Sequence, residues 1–125
     1  MNENAIGHEV LKCAMKVHTS LGPGLLESVY ELCLVHELSR CGLKSERQVA
    51  LPVRYDGLEI NGGFRLDVLV EGLVIIEVKA VEKLMLVHKS QLLTYLKLSG
   101  CKLGYLLNFN VPHMRDGINR VVNGL

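Results

Sequence analysis

The chain has 125 residues, 49% hydrophobic and 22% charged, which fits one folded domain over residues 1–125 and excludes a disordered chain. A formal charge of +1 excludes a global basic field, so any nucleic-acid binding must be local or shared with a partner. No apolar run approaches a bilayer span, and Met1-Asn2-Glu3-Asn4 lacks the basic and apolar regions of a signal peptide, so a cytoplasmic protein with no membrane partner is expected.

Residues 5–20 predict a helix, because Ile6, Val10, Cys13, Ala14, Val17 and Leu21 follow helical periodicity. Leu21-Gly22-Pro23-Gly24 ends it and opens a second helix from Leu25 to Ser39, which closes near Cys41-Gly42. The Gly-Pro-Gly stretch follows a helix and lacks phosphate-loop spacing, so it reads as an interhelical turn. Leu25, Leu26, Val29, Leu32, Cys33, Leu34, Val35 and Leu38 make the second helix apolar nearly all round, as suits a central core helix or a homodimer interface. Cys13, Cys33, Cys41 and Cys101 form no C-x-x-C pair, and the first two fit buried reduced thiols.

Gln48 to Tyr55 predicts a strand that Pro52 confines to an edge or a bulge. Asp56-Gly57 marks a tight hairpin into Leu58-Glu59-Ile60, and Asn61-Gly62-Gly63 breaks or kinks that strand before Asp67. Phe64 to Lys79 forms two apolar runs hinged at Glu71-Gly72. A polar stretch precedes a helix from Val87 to Ser99 closed by Gly100, then a buried strand from Lys102 to Phe109. A last element, Ile118 to Val122, is of open type. The order α-α-β-β-β-α-β predicts an α/β fold with a central mixed sheet flanked by helices.

The charges inside the Phe64–Lys79 hairpin need a reason. Glu77 and Lys79 are two apart in a strand and share a face. A two-residue Glu71-Gly72 turn would put Asp67 opposite Ile76 with Glu77 on the other face. A three-residue loop, Glu71-Gly72-Leu73, pairs Val70 with Val74 and sets Asp67 opposite Glu77, beside Lys79; a bulge would do the same. Two carboxylates near an ammonium suit a hard cation, Mg²⁺ with Mn²⁺ as substitute, held by Asp67, Glu77 and the Val78 carbonyl while Lys79 faces the attacking water. The plain alternative is a surface hairpin with a cross-strand ion pair.

Leu21-Gly22-Pro23-Gly24-Leu25-Leu26-Glu27-Ser28-Val29-Tyr30 resembles the signature of the GxxExxY proteins, with Gly24, Glu27 and Tyr30 at the naming positions. The resemblance continues through Glu46-Arg47-Gln48, Phe64-Arg65-Leu66-Asp67, Ile76-Glu77-Val78-Lys79-Ala80, Gln91 to Leu96 and Asn108-Phe109. These proteins group with the PD-(D/E)xK nucleases, which implies an α-β-β-β-α-β, restriction-endonuclease-like core and a nuclease-type site. Leu66 stands where the motif name has proline, a change without chemical weight because proline contributes no ligand.

The resemblance also implies roles for residues outside the hairpin. Glu27 lies in a first helical turn, where the dipole alone favours a carboxylate; its wheel neighbours Tyr30, Glu31, Leu34 and Leu38 predict a packed, largely apolar face. In similar nucleases a carboxylate of this helix reaches the metal centre, which implies Glu27 as a third acid supporting a metal or a water. Gln91 and Tyr95 share a helix face and resemble a Gln-x-x-x-Tyr motif bordering the active site; an amphipathic edge is the alternative. His88 and Lys89 suit phosphate contact or a solvated helix start, and His18 and His36 read as packed or surface residues. Two functions follow: a Mg²⁺-dependent nuclease hydrolysing phosphodiester bonds of nucleic acid, DNA ahead of RNA, or a nuclease-fold binding or assembly module without catalysis.

Overall fold

The computed structural model describes residues 1–125. In chain order it contains α1 (Glu3–Leu21), α2 (Glu27–Arg40), β1 (Ser45–Ala50), β2 (Val53–Tyr55), β3 (Leu58–Ile60), β4 (Arg65–Val70), β5 (Val74–Lys79), α3 (Leu86–Ser99), β6 (Leu103–Asn108), a short 3-10 helix (Met114–Gly117) and β7 (Ile118–Val122). Asn2 caps α1 by accepting from the Ala5 N–H at 2.8 Å. α2 starts two residues later than its apolar pattern predicts, because the Tyr30 hydroxyl draws Leu25 into the preceding turn: it accepts from the Leu25 N–H at 3.1 Å and donates to the Gly22 carbonyl at 2.6 Å.

Five strands form one mixed sheet in the order β1-β4-β5-β6-β7, in which β5 and β6 are parallel and the other pairs antiparallel. The parallel pair requires a crossover, which α3 supplies. α1 and α2 cover one face over the larger core, where Ile6, Val10, Tyr30, Leu34, Val68, Ile76 and Phe109 are buried; α3 covers the other over Leu66, Ile75, Leu92, Leu96 and Leu106. Tyr30 stacks on Phe109 with ring centroids 4.6 Å apart, tying α2 to the end of β6.

The strand count exceeds the expected four. Leu51-Pro52 divides the first predicted strand, since proline cannot donate to a ladder, and the β2–β3 ribbon stands apart from the sheet. Its turn uses Asp56 and Gly57 at φ +48° and +81°, as a primed two-residue hairpin demands. Ile118–Val122 is a strand on the open edge of β6. Cys13 is buried with its thiol 3.7 Å from that of Cys41, whereas Cys33 is only half-buried. No helix is long and apolar enough to cross a membrane.

Candidate active site

Parity places the acidic pair. Glu71 and Gly72 adopt positive φ, Leu73 donates to the Val70 carbonyl at 3.0 Å, and β4 pairs with β5 through Val70↔Val74, Leu69↔Ile75 and Val68↔Ile76. This is the three-residue loop, and its register sets Asp67 opposite Glu77. There the backbone ladder stops and the side chains take over. The Asp67 N–H donates to Glu77 Oε2 at 2.9 Å, and the Val78 N–H donates to Asp67 Oδ2 at 2.9 Å. Each carboxylate therefore bonds the opposite strand through one oxygen and retains a second oxygen for another partner.

Burial makes this pair electrostatically costly. Glu77 is buried, and loss of solvent is the main force raising its pKa to about 8, with the Asp67 charge adding to it; the Asp67 N–H and the Lys79 ammonium oppose the shift. Asp67 also titrates above its ordinary range, chiefly through desolvation, with Glu31 and Glu27 adding and the Val78 N–H and Lys79 opposing. Two carboxylates with free oxygens, desolvated and mutually repelling, form a donor set that fits a divalent cation. In a strand the N–H and C=O of one residue emerge on the same side, so the Val78 carbonyl opens toward β4 as its N–H does. Lys79 follows on β5, half-buried, and forms no ion pair with either carboxylate. The cross-strand ion-pair alternative is thus not what the hairpin builds.

Glu27 reaches the same end of the sheet by another route. The Tyr30 hydroxyl fastens the Gly-Pro-Gly turn, and from the first turn of α2 Glu27 Oε2 accepts from the Ala80 N–H at 3.2 Å. The face expected from the wheel is packed, with Tyr30, Glu31, Leu34 and Leu38 buried. Glu27 itself is exposed, which corrects its expected partial burial: the helix begins at Glu27, so the residue projects from the helix end. No three acids, histidines or cysteines converge into a metal-binding group, so Asp67 and Glu77 stand as a pair.

Tyr95 is buried on α3, and its phenol is raised by burial and then by the Glu77 and Asp67 charges, which places it within their field. Gln91, one turn earlier, is exposed. His88 accepts from the Met85 N–H through Nδ1 at 3.0 Å, which favours the helix-start reading. His18 is buried with Nε2 2.7 Å from the Val111 carbonyl, a packed histidine, and His36 is exposed.

Two buried residues escaped the sequence reading of the site. Asn108, opposite Lys79 on β6, accepts from the Val81 N–H at 3.1 Å and donates to the Val81 carbonyl at 2.9 Å, fixing the chain after the Glu-x-Lys strand. Its signals are a polar residue ending an apolar strand and its place in the resembling Asn108-Phe109 segment, neither of which by itself marks a site role. Glu31, at 5% exposure, accepts from Arg47 Nε at 3.0 Å and Gln48 Nε2 at 3.0 Å.

No curated protein and no solved structure shows a significant match to this chain. A family model of the PD-(D/E)XK nuclease superfamily matches residues 4–121, a span that holds the acidic fork, Lys79 and nearly every element around them. With helices on both faces of a mixed five-stranded sheet and Asp67, Glu77 and Lys79 at its fork, the chain belongs to the PD-(D/E)XK nuclease superfamily.

Proposed function

We propose that this protein is a Mg²⁺-dependent nuclease of the GxxExxY branch, hydrolysing phosphodiester bonds of nucleic acid, with DNA preferred to RNA and Mn²⁺ able to substitute. The observation that carries the reading is the Asp67–Glu77 pair, Glu77 buried and Asp67 half-buried, each carboxylate anchored by one backbone N–H with an oxygen to spare. Asp67, Glu77 and the Val78 carbonyl hold the cation; when bound it supplies Lewis-acid activation of the phosphate and its water. Lys79 orients the attacking water and offsets the charge that develops on the phosphate. Tyr95 and Gln91 border the scissile group from α3, and Glu27 orients water at the rim while bracing Ala80. The four free cysteines suit a reducing, cytoplasmic setting.

A second reading, a binding or assembly module on the same fold, is favoured by one observation: Glu27 is bonded to Ala80 and does not join the acidic pair. Incubation with single- and double-stranded DNA and RNA, with Mg²⁺, Mn²⁺ or chelator, separates the two. The nuclease reading expects metal-dependent cleavage that Asp67→Asn reduces at least about a hundredfold, since loss of a ligand costs no less than loss of its outer-shell partner. Equal activity in wild type and Asp67→Asn would identify a contaminating nuclease.

A further inference from the structure

β1 pairs with β4 through Arg47↔Val68 and Val49↔Leu66, and the intervening pair, Gln48 and Asp67, drops out of the ladder. Gln48 has φ +53°, the left-handed region that a residue with a side chain occupies only where its surroundings hold it. Glu31 does the holding. Gln48 Nε2 donates to the two Glu31 oxygens at 3.0 and 3.3 Å, and Arg47 Nε donates to Glu31 Oε1 at 3.0 Å. Consecutive residues of a regular strand point to opposite faces, so a left-handed Gln48 is what lets both side chains meet one carboxylate on α2. From the other side Arg65 donates to the Gln48 carbonyl at 3.2 Å.

The consequence falls on Asp67. Both neighbours of β4 release it there: β5 replaces its ladder with side-chain bonds, and β1 turns away at Gln48. Leu66 packs with the α3-side core, whereas Val68 and Val70 pack on the α1–α2 side. Residues two apart normally share a face, so β4 twists at Asp67. Glu31 is also near enough for its charge to bear on both Asp67 and Glu77.

We infer that Glu31, Arg47 and Gln48 form a positioning cluster: through the left-handed Gln48 backbone they hold the β1–β4 ladder open at Asp67 and so aim its carboxylate at the Val78 N–H and at a divalent cation. The cation half of the inference rests on the proposed nuclease reading. The positioning half is readable without metal.

Both Gln48→Gly and Gln48→Ala remove the amide, but Gly permits the left-handed backbone that Ala penalises, so the pair isolates the backbone conformation. Two measurements on the full chain compare them: calorimetric titration with Mn²⁺, with Asp67→Asn as blank, and Val78 amide hydrogen exchange in the metal-free protein. Gln48→Ala is expected to weaken Mn²⁺ binding about tenfold and to speed Val78 exchange about tenfold, as loss of outer-shell support does. Gln48→Gly is expected to stay within about threefold of wild type in both. Should Gln48→Ala not fold, Glu31→Gln carries the same comparison, since it keeps one acceptor oxygen but loses the charge that pairs Arg47; about tenfold weaker Mn²⁺ binding is expected. Equal Mn²⁺ affinity and equal Val78 exchange across the folded variants, with only the unfolding midpoints changed, would overturn the inference. Failure of the nuclease reading looks different: wild type and Asp67→Asn would take up Mn²⁺ alike, while Val78 exchange would still decide the positioning.

Discussion

At the residue scale, Glu77 couples the site to folding through its proton. Its folded pKa of about 8 lies above the ordinary 4.5, so between those values the native state binds a proton that the unfolded state has lost. Stability from this group is full below 4.5 and is lost as pH rises through about 8; Asp67, raised as well, acts in the same direction. Glu37, which the Lys16 ammonium holds below 4.5, works oppositely and only at the acid end. Thermal unfolding in chelator should therefore show a midpoint that falls across this window in wild type and falls less steeply in Glu77→Gln, where only Asp67 still contributes. Added Mg²⁺ should restore the wild-type midpoint at the alkaline end and leave the variant unmoved, because a cation that binds only the folded pair stabilises by mass action. A variant with the wild-type slope would show that Glu77 does not carry the proton. Lys79 divides binding from chemistry: Lys79→Ala should lower cleavage on the order of a hundredfold while calorimetric Mn²⁺ affinity is retained or improved, since the lysine opposes the cation but favours the transition state. Loss of Mn²⁺ binding in that variant would make Lys79 a structural residue.

At the element scale, the site depends on how the ends of secondary structures are fastened. Tyr30 fastens the start of α2 through two hydrogen bonds from one hydroxyl, and that start presents Glu27 to Ala80. Tyr30→Phe retains the stack on Phe109 but leaves the Gly22 carbonyl and the Leu25 N–H without that partner, so a loss of about 1–2 kcal/mol is expected in denaturant unfolding. An unchanged unfolding free energy would show that water replaces the hydroxyl. The elements that sequence reading located are those with local signals: the helical period of α1, the Gly100 stop of α3, Asp56-Gly57, and the loop at Glu71, whose odd length follows from the need to face Asp67 with Glu77. What escaped it lacks a local signal. Gln48 carries no mark of left-handed backbone, because Glu31, 17 residues away, imposes that conformation. β7 likewise depends on the edge of β6 that remains open in the assembled sheet.

At the scale of the whole molecule, the proposed nuclease reading asks how a chain of net charge +1 would engage a polyanion. A net charge this small supplies no global field, so affinity would come from a local basic patch, from the cation at the site or from a second copy that doubles the footprint. α2 buries Tyr30, Leu34 and Leu38 in the core, which makes it a core helix on one side, yet Leu32 on its outer side remains 52% exposed and Leu26, just before its start, 73%. A two-fold dimer through this outer face would supply two acidic forks in one particle. Light scattering across a dilution series is expected to show a dimer mass that falls to the monomer on dilution. Leu32→Glu should give the monomer at all concentrations with an unchanged far-ultraviolet spectrum, since the residue lies outside both cores. The same variant should cleave duplex DNA more slowly than wild type and single strands equally well. A wild-type monomer mass at high concentration would refute the dimer and restrict the proposed nuclease to single strands or to ends, where one fork suffices.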